Sequence, residues 1–137
     1  MPTIPATEEA VVVRTDFSND AAWRAVTQEM LAETAEGFRA YVELLDDPSF
    51  DGLSAEQVRE AARAHYRCGF LIVVDAETFA DPESTVLVVD LVDEPGRAFR
   101  AVPATIQSID NNLSLANMDF FEFADNVASD GVFRGFE

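Results

Sequence analysis

Four short runs of β-branched and aliphatic residues each end in a carboxylate: Asp16 follows Val11–Arg14, Asp46 and Asp47 follow Phe38–Leu45, Asp75 follows Phe70–Val74, and Asp90 follows Val86–Val89. If those runs are parallel strands, their C-terminal ends share one edge of a sheet, which is where open α/β sheets bind ligands. Two or three converging carboxylates suit a hard cation such as Mg²⁺, which takes oxygen ligands. The set Asp16, Asp75 and Asp90 is therefore the candidate metal site of an Mg²⁺-dependent enzyme or a nucleotide-binding domain. Two features weigh against that chemistry. No Gly-rich phosphate loop follows any of the strands, and the chain has no Lys to neutralise a phosphate. Asp is also a common cap and turn residue, so a strand-end Asp has an ordinary structural explanation.

The only other nucleophile–base pair is Cys68 with His65, three residues apart at the expected end of a helix. A His there is explained by the helix dipole, and one His with one Cys cannot build a structural zinc site. Cys68, followed by an apolar run, reads as a small buried hydrophobe. No catalytic residue is assigned.

Acidic residues form two dense stretches. The first holds Glu43, Asp46, Asp47, Asp51, Glu56 and Glu60; the second holds Asp110, Asp119, Glu122 and Asp125. Acidic surfaces steer rapid association with basic partners, although a single cluster is most simply a solvated face. With Phe121 as an exposed aromatic beside the second stretch, the candidate partner-binding residues are Asp46, Asp47, Asp119, Phe121, Glu122 and Asp125. Arg14, Arg97, Arg100 and Arg134 could meet in space, but their spacing does not show it.

The whole composition points the same way. The chain has 137 residues, 26 acidic and 9 basic, for a formal net charge of −17. A balance this negative excludes nucleic-acid binding driven by a basic face, and docking on anionic lipid for the same reason. A hydrophobic fraction of 48% argues for a folded domain rather than an acidic tail. One Cys excludes an internal disulfide and suits a reducing compartment. The first residues carry no signal-peptide pattern, and the longest apolar run, Phe70–Val74, is far too short to span a membrane. These observations place the protein in the cytoplasm.

The elements that must position these residues follow from pattern. Residues 1–10 are expected to fray. After the first strand, Thr15–Asp20 supplies turn and cap residues, and Trp23, Val26 and Met30 give one apolar stripe to a helix over Ala21–Glu36, with Gly37 beyond its end. Phe38–Leu45 alternates as a half-exposed strand. Ser54 and Gln57 make a capping box for a helix reaching about Arg67. Phe70–Val74 and Val86–Val89 lack alternation and belong in the middle of the sheet. Pro95 and Gly96 suit the centre of a type II turn leading to an antiparallel Ala98–Val102.

In the last third, Asn117 can cap a helix from Met118 to about Val127, with Phe120, Phe123, Ala124 and Val127 on its buried face. Asn111, Asn112 and Asn117 are expected to fix the C-terminal loop through backbone bonds. Residues 111–120 also fit two units of a five-residue solenoid, but two units cannot stack into a stable one. Val132–Phe136 is an apolar tail that docks back. The expected architecture is one α/β domain over 11–137: a mixed, mostly parallel sheet of about five strands with a β-hairpin and flanking helices.

The tract Asn111-Asn112-Leu113-Ser114-Leu115-Ala116-Asn117-Met118-Asp119-Phe120, with Glu122-Phe123-Ala124-Asp125 and Asp130 to Phe136 after it, resembles an uncharacterised family of small acidic bacterial proteins. Arg14 to Ser18 and Ala22-Trp23 resemble that family's opening, so the resemblance covers most of the chain. The family often has Glu where this chain has Phe121. The resemblance implies no activity and transfers no catalytic residue. The reading is a non-enzymatic, acidic protein-binding module of the immunity, inhibitor or regulatory type, without a cofactor. The Mg²⁺-dependent enzyme is the alternative. A self-associating protein is a third reading, and it requires apolar surface around Phe121 and Phe136.

Overall fold

Runs of Val, Ile and Leu in this chain build the middle of one sheet because both faces of that sheet are covered. In the computed structural model, which describes residues 2–136, β1 (Ala10–Arg14), β2 (Val42–Leu45), β3 (Phe70–Val74), β4 (Val86–Asp90), β5 (Ala98–Ala101) and β6 (Val132–Phe133) pair in the order β2-β1-β3-β4-β5-β6. β1 runs parallel to both β2 and β3, β4 is antiparallel to β3 and β5, and β6 is parallel to β5. The domain is α/β with a mixed sheet, as the pattern predicts. The tail adds the sixth strand.

Alternate residues of the central strands enter two cores. Val12, Ile72, Val88 and Phe99 face α1 (Asp20–Leu31), α4 (Ile106–Ser114) and α5 (Phe120–Ala124), which contribute Trp23, Val26, Met30, Ile106, Ile109, Phe120 and Phe123. Val11, Val13, Leu71 and Val73 face the other way, toward Phe50 and α2 (Ala55–Ala61), with Val58, Ala61 and Tyr66. β3 is buried at every position, so its lack of alternation follows from having helices on both sides. Tyr66 ties the second core together. Its hydroxyl accepts from the Val11 N–H at 3.0 Å and donates to the Phe70 carbonyl at 2.7 Å.

Several elements differ from expectation for local reasons. Part of the segment 2–10 is anchored in the fold. Ile4 is fully buried in the second core, and its N–H donates to the Ala61 carbonyl at 2.9 Å. α1 stops at Leu31 because Ala32 turns extended; Gly37, at φ +90°, belongs to a later turn closed by Thr34 and Phe38. α2 is capped as predicted, with Ser54 N–H to Gln57 Oε1 at 2.9 Å and Gln57 N–H to Ser54 Oγ at 3.1 Å, but ends at Ala61. The strand expected from Phe38 begins at Val42, since residues 39–41 are fastened to α4 instead. Asp110 Oδ2 accepts from the Tyr41 N–H, and the Asn111 amide donates to the Arg39 carbonyl.

α3 (Ala76–Ala80) and α4 were not predicted. Asn112 bonds the Ser108 carbonyl, while Asn117 does not cap a helix: α5 begins at Phe120, with Asp119 as its N-cap. The turn after β4 is as expected, with Gly96 at φ +93° and the Arg97 N–H donating to the Glu94 carbonyl. No helix among the described residues is long and apolar enough to cross a membrane.

Candidate functional site

The three candidate metal ligands do not meet, and strand direction is the reason. β1 and β3 are parallel, so Asp16 and Asp75 lie at the same sheet edge. β4 is antiparallel to β3, with Asp90 opposite Phe70, the first residue of β3. Asp90 is therefore at the other end of the sheet. Each carboxylate is also already engaged. Asp16 accepts from the N–H and hydroxyl of Ser18. Asp90, 3% exposed, accepts from the N–H groups of Val92 and Glu94 and so shapes the β4–β5 turn. Asp75 caps α3 through the Thr78 N–H and takes a two-pronged ion pair from Arg100 at 2.7 and 2.9 Å. Burial opposes ionisation of Asp75, but the Arg100 bonds and charge, with Thr78, outweigh it and hold the carboxyl below its ordinary value. No cluster of three or more His, Cys, Asp or Glu capable of holding a metal is present among the described residues.

The edge at the C-terminal ends of β1, β2 and β3 is filled by arginine. The Arg14 side chain is 3% exposed. It donates to Asp20 at 2.8 Å and Asp46 at 3.2 Å, and its guanidinium lies 4.4 Å from the Phe17 ring centroid and 5.4 Å from that of Trp23. Asp47 caps a short 3₁₀ turn through the Ser49 N–H, which with the Ser49 side chain lowers its pKa. The four arginines singled out in the sequence do not pool into an anion site. Each is taken by two carboxylates: Arg14 by Asp20 and Asp46, Arg97 by Glu94 and Asp125, Arg100 by Asp75 and Glu77, and Arg134 by Glu83 and Asp130.

The opposite edge carries a cleft. At the start of β1 and β3 and the end of β4, a space of about 320 Å³ opens between the β4–β5 turn and the α4–α5 loop. Glu8, Glu9, Asp93 and Asp119 supply exposed carboxylates, the buried Asp90 also lines the space, and Phe70, Leu113, Met118 and Phe120 supply apolar wall. No basic residue lines it. A shallower groove adjoins it, sharing Asp90, Asp93 and Asp119 and adding Phe121, Glu94 and Asp125, the last two paired with Arg97, which also lines it. Phe121 is 50% exposed there. Of the predicted partner-binding residues, Asp119, Phe121 and Asp125 thus come together on this groove. Glu122 folds back to cap α5, accepting from the Asp119 N–H at 2.8 Å. Asp46 and Asp47 stand at the far edge.

Glu8, Glu9 and Asp93 were missed in the sequence. Glu8 and Glu9 sit at the entry of a strand and Asp93 follows the exit of another, so only the reversal of β4 brings them together. Cys68 is half-buried at the cleft wall, its sulfur 3.9 Å from the Thr7 carbonyl oxygen, and His65 is exposed on the turn after α2. Phe136 is half exposed but packs on Phe123 and Phe133 at 5.4 and 5.1 Å, so it forms no patch with Phe121.

A carboxylate rim around an apolar wall suits side chains with an apolar stem and a cationic head, Arg or Lys. No curated protein matches the chain. Residues 9–136 match the family model described as a domain of unknown function, DUF6924, and the chain belongs to that family.

Proposed function

We propose that this protein is a non-enzymatic, acidic protein-binding module of the regulatory, inhibitor or immunity type, and that it takes a basic segment of its partner into the cleft at the start of β1 and β3. The observation that carries this reading is the lining of that cleft: four exposed carboxylates around an apolar wall, with no basic side chain among the lining residues. The net charge of −17 supports it by drawing basic surfaces toward the protein over a distance of about a Debye length, ~8–10 Å at ordinary salt. The apolar wall adds what charge alone lacks, a shape that distinguishes a seated Arg or Lys stem from a cation that is merely nearby. Phe121, beside the cleft, offers a flat face for an arginine guanidinium. We infer a cytoplasmic setting, because the single Cys68 builds no disulfide and suits a reducing compartment.

Calorimetric titration with an arginine-rich peptide that also carries leucine tests this. The double variant Asp93→Asn/Asp119→Asn is expected to bind at least about tenfold more weakly than wild type, as for loss of close charge partners. Asp16→Asn/Asp51→Asn removes equal charge elsewhere and is expected to leave affinity within about twofold. Equal weakening in both double variants would mean diffuse attraction rather than a site.

A further inference from the structure

We propose that the free edge of β2 is a second docking element, where an extended segment of a protein partner that alternates apolar and basic side chains adds to the sheet as a further strand. β2 is the terminal strand of the sheet order, so one side of its backbone has no strand neighbour among the described residues. Such an edge presents N–H and C=O groups that an extended chain can pair with, and proteins ordinarily keep apolar side chains away from it. Here the reverse holds. Four of the seven large hydrophobic residues exposed among the described residues lie along this edge or beside it: Phe38 at 58%, Tyr41 at 54%, Leu44 at 41% and Leu115 at 70%. Phe38, Tyr41 and Leu115 line one groove of about 550 Å³ between the approach to β2 and the end of α4.

The approach to β2 is held in place before any partner arrives. Asp110 and Asn111 of α4 bond the backbone of Tyr41 and Arg39, so little ordering is left for binding to supply. Charge selects the occupant. From Glu36 to Asp47 the chain carries four carboxylates; Asp46 is paired with Arg14 and Asp47 caps the following turn, which leaves Glu36 and Glu43 against one guanidinium, Arg39, at the groove. A second copy placed edge to edge would set these carboxylates against their own kind, which destabilises strand pairing. A basic segment meets them favourably, its apolar residues taking the groove and its cations facing Glu43. This inference rests on the reading of a basic partner given above, and it places that partner on a second surface.

The test is amide hydrogen exchange on the whole chain, with and without a short synthetic peptide of alternating valine and lysine. The control is the same peptide N-methylated at every second amide, which keeps its charge but cannot pair along an edge. The expected result is slowed exchange confined to the amides of residues 42–45, absent with the methylated peptide. Peptide affinity should fall about tenfold in Glu43→Lys and in Tyr41→Ala, both at exposed positions. Equal binding of the methylated peptide would overturn the proposal, as would protection of the same amides in the protein alone through dimerisation. If the unmodified peptide binds, loses affinity only in Asp93→Asn/Asp119→Asn, and leaves residues 42–45 unprotected, the edge proposal fails while the cleft reading stands. Binding of neither this peptide nor the arginine–leucine peptide overturns both.

Discussion

Asp75 and Asp110 are both partly or fully buried carboxylates, and their surroundings push them in opposite directions. Asp75 has Arg100 in a two-pronged pair, and its pKa falls. Its charged form therefore stabilises the fold above the unfolded value near 4, and that contribution is lost as pH falls through the lowered folded value. Asp75→Asn keeps the cap on α3 but removes the pair. It is expected to cost about 2–3 kcal/mol at neutral pH, with the difference from wild type closing below about pH 4, as read by urea unfolding across pH. Asp110 is 1% exposed. Burial raises its pKa more than the bonds from Tyr41 and Ser114 lower it. A raised folded pKa makes the ionised form the costly one, so stability rises as pH falls through that value. Asp110→Asn can still accept from Tyr41, and it should match or exceed wild-type stability at neutral pH. Its advantage should shrink as the solution is acidified toward the ordinary carboxylate range; a constant difference across pH would contradict the assignment. Neither role was legible beforehand. Asp75 read as a metal ligand because its partner Arg100 is 25 residues away and reaches it only through the β4–β5 hairpin. Asp110 read as part of an acidic surface because α4 was not recognised.

At the scale of elements, features that depend on near neighbours are legible in the sequence. The Trp23, Val26 and Met30 stripe, the Ser54–Gln57 box and the Pro95–Gly96 turn depend on neighbours within a few residues, and all three appear in the fold. What failed depended on distant groups. The approach to β2 leaves the strand pattern because α4 bonds its backbone, and α4 itself is hidden by Asn and Ser residues that favour loops when isolated. The tail is a further case. Val132 and Phe133 form a strand of only two residues, but Phe133 lies 5.4 Å from Phe123 and 6.2 Å from Phe99, both in edge-to-face geometry. Aromatic packing, more than the short ladder, holds β6. Phe133→Ala is therefore expected to lower stability by about 3–5 kcal/mol and to expose residues 130–136 to proteolysis. A loss under about 1 kcal/mol would mean that the tail contributes little to the core.

At the scale of the whole molecule, one reversal decides where function can lie. With every strand parallel, Asp16, Asp75 and Asp90 would share an edge. With β4 antiparallel, Asp90 goes to the opposite end, Asp16 is bonded by Ser18 and Asp75 by Arg100 at the first edge, and Glu8, Glu9, Asp93 and Asp119 gather instead around a cleft. Sequence alone could foresee an acidic, sheet-based domain with a hairpin, but not which carboxylates the hairpin would collect. The start of β1 and β3 is therefore the proposed seat of a basic partner. The most direct measurement is a two-dimensional ¹⁵N–¹H NMR titration with the arginine–leucine peptide at fixed ionic strength. The largest shifts are expected on Glu8–Ala10, Gly69–Phe70, Val92–Asp93 and Met118–Phe121, and they are expected to persist at moderate salt. Shifts centred on Asp16 and Asp75, or spread evenly over every acidic face and abolished by salt, would contradict that placement.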